Sequence, residues 1–197
     1  MRRIIKVCGL PVVLFVALAL LCRTAVRAQQ SSTEKPASPP AAMQEPKPGP
    51  EMDRLKFLVG TWDLKGEYLK TPLTGDGGKQ TGWYKGQLGP GGFSIIADFE
   101  DDSPLGKEIG HELFAWDPTS SAYTTATVGN FPGLVAGKAQ WEGDNLVTQL
   151  EFNMGGSVIQ NRAVYSHIGE KTLHIEESYR TGDAPYQLMW KADWTKR

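Results

Sequence analysis

The amino-acid sequence predicts an all-β domain: a single closed or nearly closed antiparallel meander barrel of about ten strands behind a short N-terminal helix. Three observations predict it. Past residue 60 apolar and polar residues alternate with a period of two, the pattern of half-buried strands. Clusters of Gly, Pro, Asn and Asp break that alternation about every ten residues. The connections are too short for crossover helices, which leaves a meander. A flat sheet of that many strands exposes two edges, and closure removes both. A two-sheet sandwich is the other architecture such turns permit.

The elements follow in order. Met52, Leu55 and Leu58 fall at helical spacing over 51–58, and Gly60 ends that run. Strands are expected at 61–69, 80–88, 93–101, 107–116 and 121–128, with the Gly-rich stretch 71–79 as a flexible loop and Asp117-Pro118-Thr119-Ser120 as a type I turn. Five more are expected at 135–141, 146–154, 157–167, 172–180 and 186–195. On the third strand Phe93, Ile95, Ala97 and Phe99 share one face. Asp98, Glu100, Asp101 and Asp102 read as a solvated acidic end that blunts an edge. On the last strand Tyr186, Leu188, Trp190, Ala192 and Trp194 form the apolar face.

Ahead of this domain, 51–197, lie two segments of different composition. Residues 1–28 carry a basic start, an uncharged apolar run from Val12 to Leu21 and the ending Val26-Arg27-Ala28, which reads as a secretory signal peptide cut after Ala28. The apolar run is about half the ~20 residues a spanning helix needs, so no membrane span is expected in the mature chain. Cys22 follows Leu21, where a lipobox requires a small residue, which argues against lipidation. Residues 29–50 are rich in Pro, Ser, Ala and Gln and read as a disordered linker. The expected location is therefore periplasmic or extracellular.

Cys8 and Cys22 both lie in the signal, so the mature protein has no thiol for a disulfide or a thiolate metal site. The five basic residues before Gln29 leave with it, leaving 16 basic against 22 acidic residues. Nucleic acid and anionic membrane surfaces are poor partners for that balance.

Gly60-Thr61-Trp62 at the head of a first strand resembles the Gly-x-Trp start of the lipocalin and fatty-acid-binding superfamily. The run from Leu55 to Tyr68, the Gly91-Gly92-Phe93 start, Phe114-Ala115-Trp116-Asp117-Pro118 and the closing stretch Trp190 to Arg197 resemble the bacterial domain-of-unknown-function family 1579. The resemblance implies a lipocalin/calycin-like barrel, often exported, whose Gly60 and Trp62 act as a structural plug. The opening motif is also similar to that of nitrobindin-type haem barrels, which need an inward histidine on a late strand. Here His174 lies between Leu173 and Ile175, on the face opposite the apolar set, and His167 lies at a turn. No cofactor is expected.

His111, His167 and His174 are scattered without metal-ligand spacing, so no metal site is expected. No nucleophile elbow, P-loop or dinucleotide fingerprint occurs. On the late strands, Val158 and Val164 facing inward would carry Arg162 with them, and Leu173, Ile175 and Tyr179 would carry Glu177. An internal Arg162–Glu177 pair follows from those phases, joined by Tyr179, Tyr186 and Trp190 as a candidate ligand-binding set. Trp62, Trp83, Phe93, Phe99, Phe152 and Trp190 would supply aromatic walls. The functional expectation is an exported barrel for a small apolar or amphipathic molecule. A lyase or isomerase using the Arg/Glu/Tyr set on a phenolic or carboxylated substrate, and an interaction module with a filled core, are the alternatives. An interior void above ~300 Å³ separates a ligand pocket from a filled core.

Overall fold

The alternation predicted from sequence is realised in ten strands of a computed structural model that describes residues 46–154 and 156–197. The signal peptide and most of the linker lie outside the described residues. The strands are β1 (Gly60–Tyr68), β2 (Gly78–Leu88), β3 (Ser94–Ser103), β4 (Gly106–Asp117) and β5 (Ala122–Gly129), then β6 (Val135–Glu142), β7 (Asn145–Met154), β8 (Ser157–Ser166), β9 (Thr172–Thr181) and β10 (Gln187–Lys196). Each pairs antiparallel with its neighbour in sequence, and β1 pairs with β10 to close the barrel.

Closure runs in register from Trp62 opposite Lys196 to Tyr68 opposite Trp190. The chain end extends it: the Arg197 amide donates to the Thr61 carbonyl at 2.9 Å, and its guanidinium donates to Asp63 at 2.6 Å. Among the described residues no strand is left with an open edge.

One end is stoppered by the N-terminal helical segment, which is two pieces rather than one. Pro50 starts a four-residue α-helix, α1 (Pro50–Asp53), and a 3-10 turn follows at Lys56–Leu58. The chain leaves the helical region at Val59, one residue before Gly60, so Gly60 makes the corner instead of ending the helix. Its φ of 121° is open to glycine and costly for other residues. Met52, Leu55 and Leu58 are buried, and the Tyr123 hydroxyl donates to the Glu51 carbonyl at 2.8 Å. Opposite Gly60, a Cβ on Gly86 would sit 2.2 Å from the Leu58 carbonyl oxygen, so glycine is what lets the plug lie on the sheet.

Trp62 behind it is fully buried. Its ring meets Trp194 at 6.5 Å, Tyr84 meets Trp194 at 4.9 Å, and the Lys196 ammonium lies 5.1 Å above the Trp62 ring. Aromatic packing of this kind supplies both area and geometry to a core.

Candidate functional site

In a barrel the inward face of each strand is every second residue, so the interior can be read from the buried aromatics outward. On β1, Trp62 and Leu64 are buried, and their period carries Gly66 and Tyr68 inward. On β2 buried Tyr84 carries Gln80 with it. On β3, Ile95 and Ala97 carry Phe99 and then Asp101, and on β4 Phe114 carries Glu112 and Glu108. On β8 the buried set is Ile159, Asn161, Ala163 and Tyr165, and on β9 Leu173 and Ile175 carry Glu177.

These side chains do not fill the interior. A cavity of about 180 Å³, partly open to solvent, is lined by Asp101, Glu108, Glu112 and Glu177 together with Tyr68, Tyr84 and Tyr165. It is smaller than the ~300 Å³ of ordinary ligand pockets. Asn161, Gln80, Trp190 and Trp194 also line it, as do threonines of β5 and β7.

The expected set is only partly brought together. Glu177, Tyr179 and Trp190 face inward, and Glu177 and Trp190 line the cavity. The internal Arg162–Glu177 pair is overturned. Arg162 is on the outer face, donating to Glu142 at the end of β6 at 3.0 Å, while Glu177 accepts from the Asn161 amide nitrogen. The phase of β8 is set by Ile159 and Tyr165, which outweigh Val158 and Val164; Val158 is 47% exposed.

Tyr186 also lies outside, under the Arg180 guanidinium at 4.7 Å, because β10 shifts register between Leu188 and Trp190 and buries Met189 beside Trp190. Tyr179 is inside but binds Gln187 at 3.2 Å, apart from the cavity. Among the expected aromatic walls, Phe93 is 40% exposed.

Asp101 corrects another expectation. It is 8% exposed and points inward, whereas Asp98 on the other face binds His111 at 2.7 Å. Asp101, Glu108, Glu112, Gln80 and Asn161 were absent from the sequence-derived set, although each is in step with a buried aromatic or isoleucine on its own strand. His174 lies outward as expected and binds Asp193 at 2.7 Å.

Electrostatics follow from this placement. Asp101 stands directly opposite Glu108 across β3 and β4, and facing like charges are destabilising. Burial pushes Glu108 up to about 7, with Asp101 and Glu177 adding to the shift. Burial pushes Glu177 to about 7, opposed by the Asn161 amide and reinforced by Asp101. Glu112 rises to about 8, again mainly through burial, with the nearby Tyr84 hydroxyl opposing and Glu177 adding. That hydroxyl stands near Glu112 without reaching hydrogen-bond geometry. Burial likewise raises the phenols Tyr84 and Tyr165 well above their usual range.

Asp101 is raised by burial but held back by Gln80, whose amide nitrogen donates to it at 2.8 Å. Gln80 has no freedom to turn over. Its carbonyl oxygen accepts from the Trp190 indole N–H, which is a donor only, so its NH₂ is committed to Asp101. That donation opposes the upward shift of the Asp101 carboxyl, whereas Glu108 is raised by burial and by Asp101 itself.

Gly66 makes room for this chain of bonds. A Cβ there would lie 2.7 Å from the Gln80 carbonyl oxygen and 2.8 Å from the Trp190 indole nitrogen. Gly66→Ala is expected to cost about 1–3 kcal/mol by overpacking and to shift Trp190 emission. Urea titration followed by tryptophan fluorescence checks both, and an unchanged midpoint and spectrum would contradict the arrangement.

No protein-family model and no curated protein matches the chain. Among solved structures it is similar to Rv2717c from M. tuberculosis, with 14% identity and a TM-score of 0.51, over 77% of this chain and 99% of that one. At that identity the likeness is one of fold alone, a closed antiparallel barrel of ten strands. Weaker likenesses are to the S-type phycobiliprotein lyase CPES from Guillardia theta (TM-score 0.45, 10% identity, 75% and 90% covered) and to a de novo designed fluorescence-activating β barrel (TM-score 0.38, 12% identity, 74% and 98% covered).

Proposed function

We propose that the protein is an exported small-molecule-binding barrel and a member of the domain-of-unknown-function family 1579. The observation that carries the binding reading is the lining rather than the volume, which falls short of ~300 Å³: carboxyl, amide, phenol and indole groups converge on about 180 Å³ of open space. A few directed polar groups on an aromatic wall are what a ligand site requires, and a solid interaction module would fill that space with apolar side chains. An apolar cavity of ~150 Å³ holds a benzene ring, so the size suits one ring with a short substituent. The family reading is supported by Gly60-Thr61-Trp62 standing at the head of β1, behind the helical plug, where the resemblance puts it. The leader composition supports export.

The lyase alternative loses its basic group with Arg162 on the outer face, and an interior of carboxyls disfavours a carboxylated substrate.

Trp190 and Trp194 line the cavity, so occupancy is expected to alter tryptophan fluorescence. A panel of neutral, cationic and anionic single-ring compounds is the probe. At least one should give a saturable signal with the parent protein. Ala163, buried on the cavity wall, is the place to block it. Ala163→Phe should weaken that signal by about tenfold or more, roughly 1.4 kcal/mol of binding, while the outward Arg162→Met leaves it unchanged, with near-UV circular dichroism confirming both folds. Binding that survives Ala163→Phe, or no saturable signal anywhere in the panel, overturns the interior as a ligand site. The intact mass of the exported protein should start at Gln29, and retention of residues 1–28 would refute cleavage there.

A further inference from the structure

Resting on that ligand-binding reading, we propose that the barrel interior selects a small organic cation, a protonated primary amine carried on a single aromatic ring. Asp101, Glu108, Glu112 and Glu177 converge on the cavity from three strands, and no lysine, arginine or histidine is among the described residues that line it. The basic partners are all outside: Arg162 binds Glu142, Lys107 binds Glu100 and Arg197 binds Asp63. Buried carboxyls without a counter-charge hold protons or attract a cation.

A second observation points the same way. Asn161 is 1% exposed and lines the cavity, and its carbonyl oxygen has no partner within the protein. Its amide nitrogen is committed to Glu177. The acceptor left over joins four carboxyls that are themselves acceptors when ionised, so a ligand has to bring donors. An ammonium group offers three donors and no acceptor. Trp190, Trp194 and Tyr68 supply ring faces of the kind that favour a cation. A metal ion fits less well, since no three carboxylate or histidine groups among the described residues stand close enough together to hold one.

The titratable groups facing the cavity are Tyr68 from β1, Tyr84 from β2, Asp101 from β3, Glu108 and Glu112 from β4, Tyr165 from β8 and Glu177 from β9. With the phenols raised by burial, Glu108, Glu112 and Glu177, raised to about 7, 8 and 7, change charge between pH 6 and 8. Uptake of an ammonium should therefore strengthen over that range and release protons as the carboxyls ionise against it.

Calorimetry on the full chain with 2-phenylethylamine, 2-phenylethanol and 3-phenylpropionate at pH 6 and pH 8 tests this. The amine is expected to bind about tenfold tighter than the alcohol, to gain affinity at pH 8 with a buffer-dependent heat of proton release, and the propionate is expected not to bind. Glu177→Gln and Glu112→Gln should each weaken the amine by about tenfold and so remove its advantage over the alcohol, and an advantage that survives both overturns cation selection. Equal binding of amine and alcohol, or preference for the propionate, overturns cation selection and leaves the ligand-binding barrel standing. If none of the three binds while another compound still gives the Ala163-dependent fluorescence signal, cation selection falls alone. If that signal is missing as well, both readings fall.

Discussion

Titrated from pH 5 to pH 8.5 without ligand, the barrel is expected to lose several kcal/mol of stability, the reverse of the usual gain as carboxylates ionise. Glu108, Glu112 and Glu177 have folded-state values near 7, 8 and 7, raised from 4.5 mainly by burial. Below about pH 4.5 both the folded and unfolded chains hold these protons, and the contribution is fully present. Above that the unfolded chain releases them and the folded one does not, so stability falls until the folded groups also ionise near pH 7 to 8.

One such group contributes a slope of about 1.4 kcal/mol per pH unit. Three groups that repel one another share part of that effect, so the total is less than the sum. Asp63 and Asp117 are shifted the other way, by Arg197 and by Ser120 respectively, and so act only on the acid side of this window. Melting temperatures by circular dichroism across the range are the measurement. Glu112→Gln should flatten the curve, and a midpoint that holds or rises from pH 5 to 8 would show that the interior carboxyls are ionised in the folded state.

Trp62→Ala is expected to cost about 3–5 kcal/mol, the range for emptying a buried large aromatic site. That is much of the 5–15 kcal/mol stability of an ordinary domain. Trp62 is 0% exposed and lies between the helical plug and Trp194, so its loss opens a void that β1 cannot collapse into while paired on both sides. Its own indole N–H has no partner, so removing it recovers a little of that cost. Urea unfolding measures the difference. A variant that unfolds with the parent would place the stopper in Leu55 and Leu58 alone.

The fold was legible because each turn between the strands is written in Gly, Pro, Asn or Asp and most of the strands alternate. Closure also followed, from the absence of any segment able to cover two edges. The site was harder for a specific reason. β4 and β8 carry apolar residues on both faces: Ile109 and Leu113 oppose Phe114, and Val158 and Val164 oppose Ile159 and Tyr165. Alternation then leaves two phases open, and side-chain volume in the closed barrel chooses between them. Acidic residues were assigned to solvent by the rule that charges avoid burial, which holds for Asp98 and Glu100 and fails for Asp101. The register shift in β10 moved Tyr186 outward, and nothing in Ala184-Pro185-Tyr186-Gln187 marks it. Glu177 was found because Leu173 and Ile175 make the phase of β9 unambiguous.

The pairing of β1 with β10 also bears on how the chain reaches its native state. Nine of the ten strand pairs join neighbours in sequence and can zip as local hairpins, whereas the tenth brings Asp63 to Arg197 across 134 positions. Such a non-local step is slow, because the entropy of joining distant segments is lost before the contacts form. Until Gln187–Lys196 is available, β1 and β9 each present an unpaired edge to other chains. Strand β10 thus governs when this protein ceases to be prone to aggregation, a kinetic role separate from anything the cavity holds.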